Sequence, residues 1–153
     1  MRPAVVIALV LLLGGCVTAP APVAVHYPAA PLNGQAMPFA EAVRAGDLLF
    51  VAGQIGNLPG TRTLAAGGIA AEARQAMENI KAVLERHGSS LDRVVKVTVF
   101  LGDIRDWPAF NEIYVQYFRG DRLPARSALG ASGLALGAKV EVECVAVVPG
   151  SAP

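Results

Sequence analysis

Arg126, Glu141 and Glu143 are the side chains of this sequence best suited to chemistry. Arg126 follows Leu123-Pro124-Ala125 and precedes Ser127. Its guanidinium is a planar fork of donors that matches a carboxylate at two points. Pro124 restricts the backbone ahead of it, so the side chain is aimed rather than free. The plain alternative is a surface arginine in an ion pair. Glu141 and Glu143 alternate with Val140, Val142 and Cys144, so a strand here puts both carboxylates on one face. Neighbouring carboxylates repel unless one is protonated, paired or near solvent, and a raised pKa on one suits proton transfer. The plain alternative is a half-exposed strand with solvated glutamates. Asn111, early in a helix, could donate to a substrate oxygen or simply occupy a polar face. Brought together, these residues would clamp a carboxylate and activate a water beside it.

Other chemistries lack their residues. No set of His, Cys and carboxylates has metal-ligand spacing, so no metal is expected. Gly53, Gly56 and Gly60 lack the lysine of a phosphate-cradling loop, and no nucleophilic serine motif is present. With 13 basic and 12 acidic residues the charge is balanced, which argues against a nucleic-acid partner. His26 lies in a Pro/Ala-rich stretch without polar company, and His87 reads as the C-terminal residue of a helix. Cys144 sits among valines and reads as a buried apolar thiol.

The elements that must position these residues follow from periodicity. Residues 40–43 and 48–52 read as two strands around Arg44-Ala45-Gly46-Asp47, followed by a Gly/Pro loop over 53–60. Ile69, Ala73, Ala76, Met77, Ile80, Val83 and Leu84 predict a helix over 69–87, ended by Gly88. The β-branched run 93–101 predicts a strand with Val95, Val97, Val99 and Leu101 on one face. A second helix, N-capped by Asp106 with Pro108 in its first turn, carries Phe110, Ile113, Tyr114, Tyr117 and Phe118. Strands at 125–129 and 139–148 complete a β-β-α-β-α-β-β order. The expected fold is α/β (α+β): a mixed sheet with both helices on one face. The other face, with Val94, Phe100, Val145 and Val147, is left apolar, which predicts burial against further copies of the chain.

The ends predict export. Residues 1–15 read as a signal peptide: Arg2, an apolar run over 5–13, then Leu13-Gly14-Gly15 ahead of Cys16, in the manner of a bacterial lipobox. Cys16 is then the lipidated N-terminus, since several acyl chains on one residue anchor stably. Residues 16–37 read as an Ala/Pro-rich, charge-free tether, 38–149 as the folded domain and 150–153 as a tail. The expected location is the cell envelope, with the lipid anchor in the outer membrane and the domain facing the periplasm.

Six segments resemble the Rid (YjgF) family of enamine/imine deaminases. They are Val51-Ala52-Gly53-Gln54-Ile55, Ala73-Arg74-Gln75-Ala76-Met77-Glu78-Asn79-Ile80, Val95 to Leu101, Phe110-Asn111-Glu112-Ile113-Tyr114, Pro124-Ala125-Arg126-Ser127 and Val140 to Val147. Their order and spacing span the whole body, and it is their combination that is specific. The resemblance implies a chorismate-mutase-like fold, a homotrimer built as a barrel, and a site in each cleft between subunits. It implies that Arg126 holds the carboxylate of a 2-imino or 2-enamino acid, that Glu143 positions or activates water, and that Asn111 and the backbone at Ser127 and Ala128 shape the cleft. A 2-oxo acid and ammonia would be the products, with no cofactor. Phe39, Ala52 and Ala128 stand where a tyrosine, a serine or threonine, and a cysteine are common. The polar wall is therefore reduced, and a cleft that binds carboxylates without turnover, or a scaffold for envelope interactions, is the alternative.

Overall fold

A computed structural model describes residues 23–31 and 34–150. The expected signal peptide, Cys16, residues 17–22 and 32–33 of the expected tether, and residues 151–153 lie outside the described residues.

Six strands form one mixed sheet: β1 (Val25–Pro28), β2 (Ala40–Ala45), β3 (Leu48–Ile55), β4 (Val94–Leu101), β5 (Ala125–Gly130) and β6 (Val140–Val147). Their spatial order is β1-β2-β3-β6-β4-β5. Only β4 and β5 run parallel, and the segment joining them holds α2 (Trp107–Tyr114), as a parallel pair requires. The helix between β3 and β4 is α1 (Ile69–Arg86), one residue shorter than expected because His87 takes the cap position. Gly88, at φ 78°, then turns the chain in the left-handed region that glycine tolerates best.

Both helices lie over one sheet face. Ala73, Ala76, Met77, Ile80 and Leu84 of α1 and Phe110 of α2 meet Leu49, Val97, Val99, Val142 and Cys144 in one buried core. Asp106 occupies the cap position of α2 without a side-chain cap; Asp103 instead accepts from the Arg105 amide at 2.9 Å, in the 3-10 turn ahead of the helix.

Two expectations are corrected. Within the expected tether, Val25–Pro28 is a strand paired antiparallel with β2. The β-branched and aromatic residues Val25 and Tyr27 favour extended backbone, and Tyr27 stacks on His87 at 4.1 Å, joining β1 to the end of α1. In β4, the pairing with β6 shifts between Val94 and Lys96. Val94 therefore joins the core with Val97, Val99 and Leu101, and Val95 turns outward. The uncovered face still carries exposed Leu48, Phe50 and Val147 and half-buried Phe100 and Val145.

Candidate functional site

The expected site residues fall into two groups on different parts of the sheet. The first centres on Glu141 of β6. Pairing between β3 and β6 shifts between Val51 and Gln54, and Gly53 occupies the irregular stretch. A Cβ on Gly53 would lie 1.9 Å from Glu141 Oε1, so the carboxylate fills the space that only a glycine leaves open. Glu141 borders a groove of about 1100 Å³, with Gly53, Gln54 and Ile55 beside it and Met37, Phe39 and Leu136 among its apolar walls. Burial raises the Glu141 pKa above its ordinary value, and the neighbouring Glu143 adds to the rise.

Polar side chains brace this groove. Asn79 of α1 donates through Nδ2 to the carbonyls of Ile55 and Asn57, each at 3.0 Å, and accepts from Gln75 at 2.9 Å. This fixes the end of β3 below the groove. Glu72, buried in the first turn of α1, accepts from the Lys139 amide at 2.8 Å, two residues before Glu141. Gly56 packs on the same turn, where a Cβ would meet the Glu72 Cα at 2.6 Å. At the far end, Glu41 accepts from Arg86 at 3.1 and 3.2 Å and shares a 2.8 Å hydrogen bond with His87 Nε2.

The second group lies on β5, an edge strand. Arg126 is in register with core-facing Val97, and its guanidinium lies on the helix side, 4.4 Å from the ring centroid of Tyr114. Asn111 is one turn earlier on α2 and half-buried. Ser127 accepts from Lys96 Nζ at 2.7 Å on the opposite face, and Ala128 packs against the core. Glu143, expected to activate water, pairs opposite Thr98 on the uncovered face and does not border the groove. Glu141 takes the groove position because it, not Glu143, lies alongside Gly53. Ala52 is half-buried next to Gly53 without lining the groove.

One chain cannot bring its own Arg126 and Glu141 to one small substrate. Glu141 is level with Phe100, and Phe100 with Leu129, three residues beyond Arg126 and two strands away. Strand spacing and rise put the two backbones about 14 Å apart. The side chains also leave opposite faces of the sheet. Among the described residues, no group of three or more His, Cys, Asp and Glu side chains is arranged to hold a metal. Cys144 is buried in the core, and burial followed by the charge of Glu143 pushes its thiol up to about 12.

Residues 29–148 match the family described as endoribonuclease L-PSP. Human 2-iminobutanoate/2-iminopropanoate deaminase is 41% identical over 110 residues, spanning 72% of this chain and 80% of the human protein. A RutC family protein of Pyrococcus horikoshii is 45% identical over 109 residues, 71% of this chain and 86% of that protein. The crystal structure of a conserved Rid-family protein from Yersinia pestis superposes with a TM-score of 0.74 at 34% identity, covering 82% of this chain and all of that one. The chain belongs to the Rid family.

The mixed sheet with two helices on one face is thus the Rid fold, consistent with the chorismate-mutase-like architecture. Phe39, Ala52 and Ala128 are divided between the two groups. Phe39 is half-exposed on the groove wall, Ala52 adjoins Gly53, and Ala128 is on the Arg126 strand. Gly53, Glu141, Glu72 and Asn79 were not singled out for the roles they have here. Gly53 lay within a recognised motif, and Glu141 was paired with Glu143 by alternation. Asn79 had only its place in the helical motif.

Proposed function

We propose that this Rid protein hydrolyses 2-imino and 2-enamino acids to 2-oxo acids and ammonia, in clefts between copies of the chain. Arg126 of one copy holds the substrate carboxylate, and Glu141 of its neighbour positions the water. The observation that carries this reading is the separation of Arg126 from Glu141 within one chain, with Arg126 on an unpaired sheet edge. The apolar uncovered face supports association of copies, and a homotrimer is the assembly proposed. The names of the human and other mammalian relatives support the substrate class.

The chemistry needs no redox partner. An enamine first takes a proton at its β-carbon to become the iminium. Water attacks the iminium carbon while Glu141 accepts its proton. The tetrahedral carbinolamine then takes that proton at nitrogen, and the C–N bond breaks to release ammonia while the hydroxyl gives up its proton to water, leaving the 2-oxo acid. A carboxylate with a raised pKa is suited to both transfers. Asn111 and the backbone at Ser127 and Ala128 shape the Arg126 side of the cleft. Phe39 and the apolar groove wall favour imines with apolar side chains.

The anchored location is part of the proposal. Cys16 carries the lipid and holds the domain at the outer membrane, facing the periplasm, where an exported amine-oxidising or racemising enzyme would supply the imine. Labelled fatty acid should enter the wild type and not Cys16→Ala.

The decisive experiment generates 2-imino acids with an amino-acid oxidase in the presence of semicarbazide. The protein freed of residues 1–16 should suppress semicarbazone formation, and both Arg126→Ala and Glu141→Gln should not. Equal suppression by Glu141→Gln would refute the role of Glu141. The absence of hydroxyl and thiol groups at Phe39, Ala52 and Ala128 favours a second reading, carboxylate binding without turnover. Binding of 2-oxobutanoate with no suppression by the wild type would select it.

A further inference from the structure

Arg126 is held in place by an aromatic ring. Among the described residues it has no carboxylate within ion-pair distance and no hydrogen bond. Its flat guanidinium lies over Tyr114 at 4.4 Å. Tyr114 is 4% exposed and is itself fixed between Phe110 and Phe118, with ring centroids at 5.6 and 4.8 Å. Its hydroxyl is buried without a hydrogen-bond partner. Burial pushes this phenol up to about 12, only partly offset by the charge of Arg126 and by the nearness of its guanidinium to the hydroxyl, which falls short of hydrogen-bond geometry, so the ring stays neutral. The attraction therefore comes from the ring face and not from a phenolate charge.

We propose that Tyr114 is a positioning residue for the carboxylate clamp: its ring face fixes the plane of the Arg126 guanidinium and leaves the donor edges open to the ligand. The inference rests on the assignment of Arg126 as the clamp. A stacked guanidinium keeps its in-plane N–H groups unspent, so an arriving carboxylate meets a pre-set two-point donor. Without the ring, Arg126 keeps its charge and loses its orientation. Lysine has no plane to stack, so Arg126→Lys would not restore the clamp. The helix α2 thus contributes to recognition through a residue that never touches the ligand.

The test compares binding of 2-oxobutanoate with that of its uncharged amide, by calorimetry on the assembled protein. The amide controls for general damage, because it lacks the carboxylate that the clamp reads. The wild type should prefer the carboxylate, and Arg126→Ala should abolish the preference. Tyr114→Phe keeps the ring face and should stay within about threefold of the wild type. Pentafluorophenylalanine at position 114 keeps the ring shape and reverses its charge distribution. It should cost the carboxylate about tenfold while leaving the amide unchanged. Tyr114→Leu should lose at least as much if it folds.

A fluorinated ring that binds the carboxylate as tightly as phenylalanine would overturn the inference. So would loss of the preference in Tyr114→Phe, which would transfer the role to the hydroxyl. If the wild type itself shows no preference for the carboxylate, the clamp assignment fails and this inference fails with it. If the preference is lost in Arg126→Ala but survives fluorination, only the role of Tyr114 is refuted.

Discussion

Replacing Gly53 by alanine should separate activity from stability. The added Cβ would sit 1.9 Å from Glu141 Oε1 and 2.8 Å from its carboxyl carbon. Ordinary contact begins near 3.4 Å, so the oxygen must retreat by about 1.5 Å. The obstacle is the far end of a flexible side chain, so the backbone need not move. An off-rotamer glutamate costs about 0.5–1.5 kcal/mol. Gly53 does not need the left-handed region, so alanine recovers about 0.4–1 kcal/mol by restricting the unfolded chain. The two terms nearly cancel. Thermal unfolding should therefore shift by no more than about 4 °C, the change expected for about 1 kcal/mol between the roughly 100- and 150-residue size classes. Turnover should fall far more, because a misplacement of about 1 Å at a reacting group costs roughly a hundredfold. Semicarbazone suppression measures turnover, and calorimetry measures the melting temperature. The double variant Gly53→Ala/Glu141→Gln should be no slower than Glu141→Gln alone, since both act on one carboxylate. Gly56→Ala supplies the contrast: its Cβ would meet the Glu72 backbone at 2.6 Å, which cannot rotate away. It should lose about 1–3 kcal/mol of stability. Wild-type turnover in Gly53→Ala would refute the argument that the glycine seats the carboxylate.

The raised pKa of Glu141 predicts an acid limb in the rate profile above the ordinary carboxylate range, because the carboxylate form is the one that accepts the proton. Glu143→Gln should move that limb to lower pH by removing a neighbouring charge; an unmoved limb would assign it to another group. The stability sign is opposite to that of a salt-bridged carboxylate. The folded state binds the Glu141 proton more tightly than the unfolded chain, so the penalty is present above the folded-state pKa. It is relieved as pH falls through that pKa and is absent below the unfolded value. Glu141→Gln should consequently raise the melting temperature at pH 7, and a lower one would contradict the burial argument. Cys144, its thiol pushed up to about 12, should react with a disulfide reagent at pH 8 only as fast as the protein unfolds. Complete labelling of native protein within seconds would place it at the surface. Glu72→Ala leaves the Lys139 amide without its acceptor and should cost about 1–3 kcal/mol by denaturant titration. Glu72→Gln should recover most of this, and equal stability of the alanine variant would show that the bond contributes little.

Local patterns were legible wherever one residue's surroundings are set by its neighbours in sequence. The spacing of Ala73, Ala76, Met77, Ile80 and Leu84 predicted α1 nearly to its last residue, because a helix repeats every few positions and Gly88 marks its end. The alternation of Val140, Val142 and Cys144 with Glu141 and Glu143 placed the glutamates on the face away from the core. β1 was missed because four residues among prolines and alanines carry no periodic signal, and their pairing with β2 and Tyr27–His87 stacking are set by distant residues. The inward turn of Val94 was missed for the same reason: a bulge depends on the partner strand. The site shows the same division. Sequence alone determined the family motifs, the chemical types of Arg126 and the two glutamates, and the apolar second face. Only the tertiary structure set Glu141 rather than Glu143 beside the groove, because their strand pattern is identical and they differ only in what lies across the sheet. The bulge at Gly53 seats one carboxylate in a groove, while the other faces Thr98. The separation of Arg126 from Glu141 was equally invisible, since it follows from strand order, which no local residue pattern encodes.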